Sequence, residues 1–280
     1  MAADVPADST RGQAGQAGGS TARRVILGVR LRRLREAAEI SRAEAGYAIR
    51  SSESKISRLE LGRVGFKERD VTDLLTMYGV TDPDEREMFL DMVKRSNEPG
   101  WWHRYSDMLA DWFQDYLGLE ESTSRIQACE MHFLPGLMQT EDYARAIATR
   151  GWSEVPTERA ERLVAVRMRR QTLLARPDAP KLWAVIDESV LHRPIGGRQV
   201  MLAQIDHLLE LTTRPNITLQ VLPYKLSGYA AEGSFTILRF AEPELPDVVY
   251  IEHLSGALYL DKRADAELYS RAFDRLTVDA

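Results

Sequence analysis

Apolar residues recur with a helical period from Arg23 to about Gly79. Leu27, Leu31, Leu34 and Ala38 fall at i, i+4, i+7 and i+11, and Val71, Leu74, Leu75 and Tyr78 repeat the pattern later. Between Ile40 and Gly62 two short helices are expected. Ser41 can cap one holding Ala45, Ala48 and Ile49, and Ser52 can cap a second with Ile56 and Leu59 on its inner face. Arg50 and Ser51 form a tight turn between them. Asp82, Pro83 and Glu85 read as a capping box opening a further helix through Met88, Phe89, Met92 and Val93, which Asn97 to Gly100 stops.

After Trp101 and Trp102 the pattern becomes mixed. A helix with an aromatic face (Met108, Trp112, Phe113, Tyr116) leads to an unassigned segment from Ile126 to Leu134, the Pro135 and Gly136 pair, and a helix capped at Thr140. A charged helix is expected from about Thr157 to Ala175, with Leu163, Val166, Leu173 and Leu174 inward. Lys181 to Ile186, Ile217 to Leu222, Phe235 to Phe240 and Val248 to Glu252 read as strands. A helix near Arg198 to Thr212 separates the first two, and another from about Arg263 closes the chain. The expected fold class is α+β, an all-α N-terminal bundle followed by a larger mixed α/β domain. The expected division is a disordered tail over 1–22, a helical domain over 23–80, a connecting helix and linker over 81–104, and a C-terminal domain over 105–280. Residues 1–22 lack the large apolar side chains that would offset the entropy of ordering.

Charge sharpens this division. The 280-residue chain carries a formal charge of -5, yet residues 20 to 70 carry +6 and the remainder -11. A small basic unit joined to an acidic body favours one defined face for a polyanion over general stickiness. The single cysteine, Cys129, excludes an internal disulfide. With no secretory leader and no apolar run near the roughly 20 residues a membrane span needs, a cytoplasmic protein that does not enter a membrane is expected.

Two helices crossing at a short turn form a helix-turn-helix, in which the first braces the second across the DNA backbone and the second enters the major groove. With Ile56 and Leu59 inward, the outer face of the second helix carries Glu53, Ser54, Ser57 and Arg58, with Ser52 at its start and Lys55 at the shoulder. Arg58 can offer paired donors to guanine, Glu53 can accept from a cytosine amino group, and the serines can serve bases or phosphates. Lys55, Arg42, Arg50 and Arg63 suit phosphate contacts, which set register and affinity.

The stretch LGVRLRRLREAAEISRAEAGYAIRSSESKISRLELGR, residues 27 to 63, resembles the phage-repressor and Cro type of helix-turn-helix, the xenobiotic-response-element family. The later segments YGVTDPDEREMF, GWW, FLPGLMQTEDYARA and ITLQVLPY resemble a group of actinobacterial regulators that join this head to a body of uncharacterised function. Arg42 and Glu53 stand where many members of the family have glutamine, so their base preference does not carry over. Arg50 stands where a glycine usually makes the turn, which implies either a different turn geometry or a left-handed residue. The resemblance implies a sequence-specific, double-stranded DNA-binding transcriptional regulator acting as a homodimer. The body then senses a small-molecule effector or docks a small partner protein. The alternative is an antitoxin-like interaction module paired with a short companion protein.

Little points to catalysis. His103, His132, His192, His207 and His253 fit no metal-binding spacing, and Gly196 and Gly197 lack the rest of a phosphate loop. Asp187, Glu188 and His192 follow a strand without forming a recognisable catalytic set, and Trp101, Trp102 and Trp112 read as packing residues. No enzyme activity, cofactor or metal is expected. A cleft is expected around Trp112, the Pro135-Gly136 turn and the segment from Tyr224 to Phe235, where Gly228 and Gly233 permit a mobile loop.

Overall fold

The computed structural model describes residues 20–62, 64–149, 156–225, 233–242 and 245–280, and for residues 20–22 the backbone alone. Five helices open the chain: α1 (Ser20–Ala37), α2 (Arg42–Ala48), α3 (Glu53–Glu60), α4 (Glu68–Met77) and α5 (Pro83–Asn97). The first helix starts at Ser20, three residues ahead of the expected Arg23. Residues 1–19, the bulk of the expected tail, lie outside the described residues.

These helices share one core. Leu27, Leu31, Ala45, Ile49, Ile56, Leu59, Val71, Leu74, Leu75 and Tyr78 are buried in it, with Leu34 and Ala38 half-buried against it. Phe89 and Val93 of α5 belong to the same core. The segment expected as a connector is therefore a fifth helix of the bundle, because its apolar stripe buries against α1 and α4. Asp82 caps it by accepting from the Asp84 amide, with Pro83 at the first helical position.

A short 3-10 turn over Trp101–Tyr105 leads to α6 (Asp111–Glu120). The body that follows is built on one six-stranded sheet. Its strands are β1 (Thr123–Glu130), β2 (Lys181–Asp187), β3 (Ile217–Leu222), β4 (Phe235–Phe240), β5 (Val248–His253) and β6 (Gly256–Leu260), in the order β3-β2-β1-β4-β5-β6. The three strands β1, β2 and β3 run parallel, with Ala128 opposite Ala184 and Ala184 opposite Leu219. The other three form an antiparallel meander joined to β1 through β4. The parallel pairs need long crossovers, which α7 (Glu141–Thr149), α8 (Thr157–Gln171), α9 (Glu188–His192) and α10 (Arg198–Leu211) supply.

Alternation sorts the strand residues between two layers. Ile126, Leu182, Ala184, Ile217, Leu238, Val248 and Tyr250 face a core closed by helices that include α6, α7 and α10. Cys129, Val185, Leu222, Phe235, Ile237 and Val249 face the other, covered by Phe273 and Leu276 of α11 (Arg263–Asp279). An α-helical bundle followed by a mixed sheet with helices is an α+β architecture. One element ties its parts together: α1 buries Leu27 and Leu31 in the bundle while Val25 and Ile26 pack against the core of the body.

Candidate nucleic-acid interface

Local hydrogen bonding fixes the two helices and the corner between them. Ser41 starts α2 with a reciprocal cap: its hydroxyl accepts from the Glu44 amide at 3.2 Å, while the Glu44 carboxylate accepts from the Ser41 amide at 2.8 Å. Ser52 caps α3 by accepting from the Lys55 amide at 3.3 Å. At the corner Arg50 takes φ +55°, the left-handed region, and the Ser51 amide reaches back to the Gly46 carbonyl at 2.8 Å. Of the two turn geometries open to the sequence, the structure takes the left-handed residue. Gly46 is needed for closeness, since a Cβ there would lie 3.0 Å from the Ser51 carbonyl oxygen.

The corner presents the expected face. Ile56 and Leu59 are buried, whereas Ser52, Glu53, Ser54 and Arg58 are exposed and Ser57 is half-buried along the outer side of α3. Arg50 is exposed at the turn, beside Tyr47, which is 87% exposed on α2. Tyr47 was not among the expected interface residues. Its signal was available in register, because Ala45 and Ile49 turn inward and leave position 47 outward.

Two of the basic residues expected at phosphates also hold the frame. Arg42 reaches Glu60 at 2.9 Å and Lys55 reaches Asp70 at 2.8 Å. Glu60 and Asp70 are both buried, and Glu60 is further held by Arg35 of α1 through its Nε and Nη2. The carboxylate of Glu60 thus keys α3 to α1 and α2 together. Its hydrogen bond is the main reason the Arg35 guanidinium sits above its ordinary range, and Tyr78 is pushed up by burial and by the same negative charge. Position 60 follows Ile56 by four residues, so an inward carboxylate needing a partner was legible; which arginines would supply it was not. Arg63 lies outside the described residues.

The exit of α3 rests on α1 backbone to backbone. A Cβ on Gly28 would lie 2.7 Å from the Glu60 carbonyl oxygen, and one on Gly62 2.6 Å from the Val25 nitrogen. Gly62 also takes φ +66°. Glycine at both positions lets the recognition helix sit directly on α1.

In the body, the carboxylates and imidazole noted from sequence brace loops. Asp187 caps α9 by accepting from the Ser189 amide at 2.9 Å, and Glu188 accepts from the Tyr224 amide at 2.8 Å. His192 is 3.3 Å from Glu188 and stacks on Tyr224. Trp112 packs against the body core, and in the Pro135-Gly136 turn Pro135 is buried and Gly136 half-buried. Gly228, with residues 226–232, lies outside the described residues. A buried ion pair missed by sequence reading joins Arg170 to both oxygens of Glu120, at 2.8 and 2.9 Å. Among the described residues no three His, Cys, Asp or Glu side chains are grouped to hold a metal ion, and no helix is long and apolar enough to cross a membrane.

A capped helix pair, a tight corner and an outward face of polar and basic side chains define a helix-turn-helix head of the DNA-binding class. Residues 26–89 match the family described as a helix-turn-helix domain. Residues 113–280, more than half of the chain, match the family described as a domain of unknown function (DUF5753), and the chain belongs to that family. No curated protein and no solved structure gives a significant match.

Proposed function

We propose that this protein is a sequence-specific, DNA-binding transcriptional regulator of the xenobiotic-response-element type, one of an actinobacterial group, and works in the cytoplasm. The observation that carries the reading is the outer side of α3, where Glu53, Ser54, Ser57 and Arg58 stand clear of the core on a helix locked by Ser52 and Glu60. In this reading Arg58 and Glu53 read base edges, Ser52, Ser54 and Ser57 serve bases or phosphates, and Arg42, Arg50, Lys55 and Arg63 contact phosphates. Arg42 and Lys55 can do so only by sharing or releasing their carboxylate partners.

The working division places the head before residue 105 and a regulatory and dimerisation body over 105–280. The body senses an effector or docks a partner. A homodimer follows from the small footprint of one such helix, which needs a second half-site for useful specificity. The edge strand β6 supports this: Gly256–Leu260 carries no charge or proline, and Leu258 is 52% exposed on it.

The test begins with selection of an operator from a random duplex pool, followed by titrations at several salt concentrations. Arg58→Ala is expected to lose about 1–3 kcal/mol of discrimination at one operator position. An unchanged ratio of specific to non-specific affinity would place the reading face elsewhere.

A further inference from the structure

Two arginines and two carboxylates of the body cluster without touching. Glu130 ends β1 on the face that carries Ile126, Glu252 follows Tyr250 by two residues on β5 and so shares that face, and Arg167 and Arg170 stand on α8. Arg170 and Glu252 act electrostatically on Glu130, and Glu252 acts on both arginines. Among the described residues, however, no ion pair joins either arginine to either acid. We propose that the gap between them is an effector site for a free amino acid, whose carboxylate meets the arginines and whose ammonium meets the acids, and that its occupation changes operator affinity. The second part rests on the regulatory reading above.

Each member of the cluster is tied to a neighbour and held short of its opposite charge. Arg170 gives Nε and Nη2 to Glu120, and its guanidinium lies over the Phe113 and Tyr116 rings at 5.3 and 5.4 Å. The side chain is 9% exposed, yet Nη1 makes no hydrogen bond. Gly136 leaves room beside that nitrogen, since a Cβ there would lie 3.1 Å from it. Arg167 donates to the Ala144 carbonyl at 3.2 Å and has no carboxylate partner. It is half-buried, and burial, then the Arg170 charge, pull its guanidinium down to about 10. A covered charge is normally paired, so Arg167 and Arg170 Nη1 are donors in want of an anion.

On the acid side, Ser234 hydrogen-bonds Glu130 while accepting from the Met131 amide at 3.1 Å, and the Tyr250 hydroxyl donates to Glu252 at 2.8 Å. A carboxylate has about four acceptor sites, so both acids keep capacity for an ammonium group. A purely anionic ligand would meet the acids, and a purely cationic one the arginines. A zwitterion satisfies both. The place in the fold agrees: Glu130 lies at the carboxyl end of β1, from which the chain leaves toward β2 on one side and later returns to β4 on the other, and parallel sheets hold ligands at such a crossing point.

Position also supplies the coupling. Arg170 rests on α6, α6 packs on α1, and Gly28 of α1 abuts Leu59 and Glu60 at the end of the recognition helix. A ligand on Arg170 changes DNA affinity if it binds differently when these helices shift.

The test uses the full chain at one pH and constant ionic strength. Each standard L-amino acid is titrated by calorimetry, and the tightest binder is compared with its deaminated acid and its decarboxylated amine. At least one amino acid should bind saturably with Kd of about 1 mM or tighter, and each analogue should bind about tenfold more weakly or worse. Arg167→Gln should weaken the amino acid about tenfold without lowering the melting temperature of the free protein, because no ion pair goes with it. Glu252→Gln, at an exposed position, should weaken the amino acid but not the deaminated acid, a pattern that loss of structure would not give. Gly136→Ala should weaken binding with every charge kept. On saturation operator affinity should change by about fivefold or more, and operator DNA should change amino-acid affinity by the same factor.

Absence of saturable binding by every amino acid would overturn the site whether or not the protein binds DNA. A deaminated acid or an amine that binds as tightly as its parent would overturn the ligand class, and binding untouched by both Arg167→Gln and Glu252→Gln would overturn the location. Amino-acid binding that leaves operator affinity unchanged would remove the coupling, and failure to bind any operator would tell against the regulatory reading with the calorimetric result still standing.

Discussion

Arg50→Gly separates backbone strain from DNA contact at the corner of the helix-turn-helix. Arg50 holds φ +55°, a conformation that costs a residue with a Cβ about 1–2 kcal/mol. Glycine has no such cost, but it loses roughly 0.5–1 kcal/mol more conformational freedom on folding. The net gain is about 0.5–1 kcal/mol, equivalent to about 1–4 °C in melting temperature for a chain of this size. The exposed guanidinium leaves with the substitution, so the salt dependence of operator binding should flatten by about one phosphate contact. Calorimetric melting of the full chain and titrations at several salt concentrations measure the two effects independently. Arg50→Asn is the control: asparagine tolerates the left-handed region and carries no charge, so it too should melt no lower than the parent while losing the phosphate contact. A lower melting temperature for both variants would refute the strain argument, and an unchanged salt slope would take Arg50 off the DNA.

Glu60→Ala removes the buried key between α1, α2 and α3 and leaves Arg35 buried without its carboxylate, which should cost about 3–5 kcal/mol in urea unfolding; a loss below 1 kcal/mol would mean the ion pairs are not holding the head together. Glu130, at the end of β1, has its carboxyl pushed up to about 7, first by burial. The folded state therefore keeps a proton that the unfolded chain gives up near 4.3, so stability should fall by at most about 4 kcal/mol as pH rises between those values. Glu130→Gln should flatten that fall and be the more stable protein at pH 8, and identical urea midpoints for the two proteins across the range would contradict this. Leu258→Lys should weaken self-association at least about tenfold by sedimentation equilibrium, because a charge placed on the β6 edge opposes strand pairing; a variant that stays dimeric would move the interface away from β6.

Helices were readable where one face is buried and the other wet. The reading face of α3 followed from Ile56 and Leu59 alone, and β2 to β5 carried enough branched and aromatic residues to be placed within a residue or two. The segment from Ile126 resisted assignment because β1 lies in the middle of the sheet: Ile126 and Ala128 bury on one face, Gln127 and Cys129 on the other, and no alternation survives. The short strand β6 follows a two-residue turn, Leu254-Ser255, without the glycine or asparagine that marks such hairpins. Long-range ion pairs escaped for a different reason. Glu60 with Arg35, Lys55 with Asp70 and Glu120 with Arg170 are 25, 15 and 50 residues apart, and nothing local announces a partner at that distance.

The division of labour along α3 has a bearing on retargeting. Its frame is written in Ile56, Leu59 and Glu60, whereas of its outward positions 53, 54, 57 and 58 only Ser54 touches that frame, its hydroxyl 3.0 Å from that of the capping Ser52. Residues at those four positions can be exchanged as a cassette, by drift or by an engineer, with the bundle left intact. Diversification of operators among relatives is then expected to run along this strip of helix, while Gly28, Glu60 and Gly62 stay fixed as the socket into which each new strip is fitted.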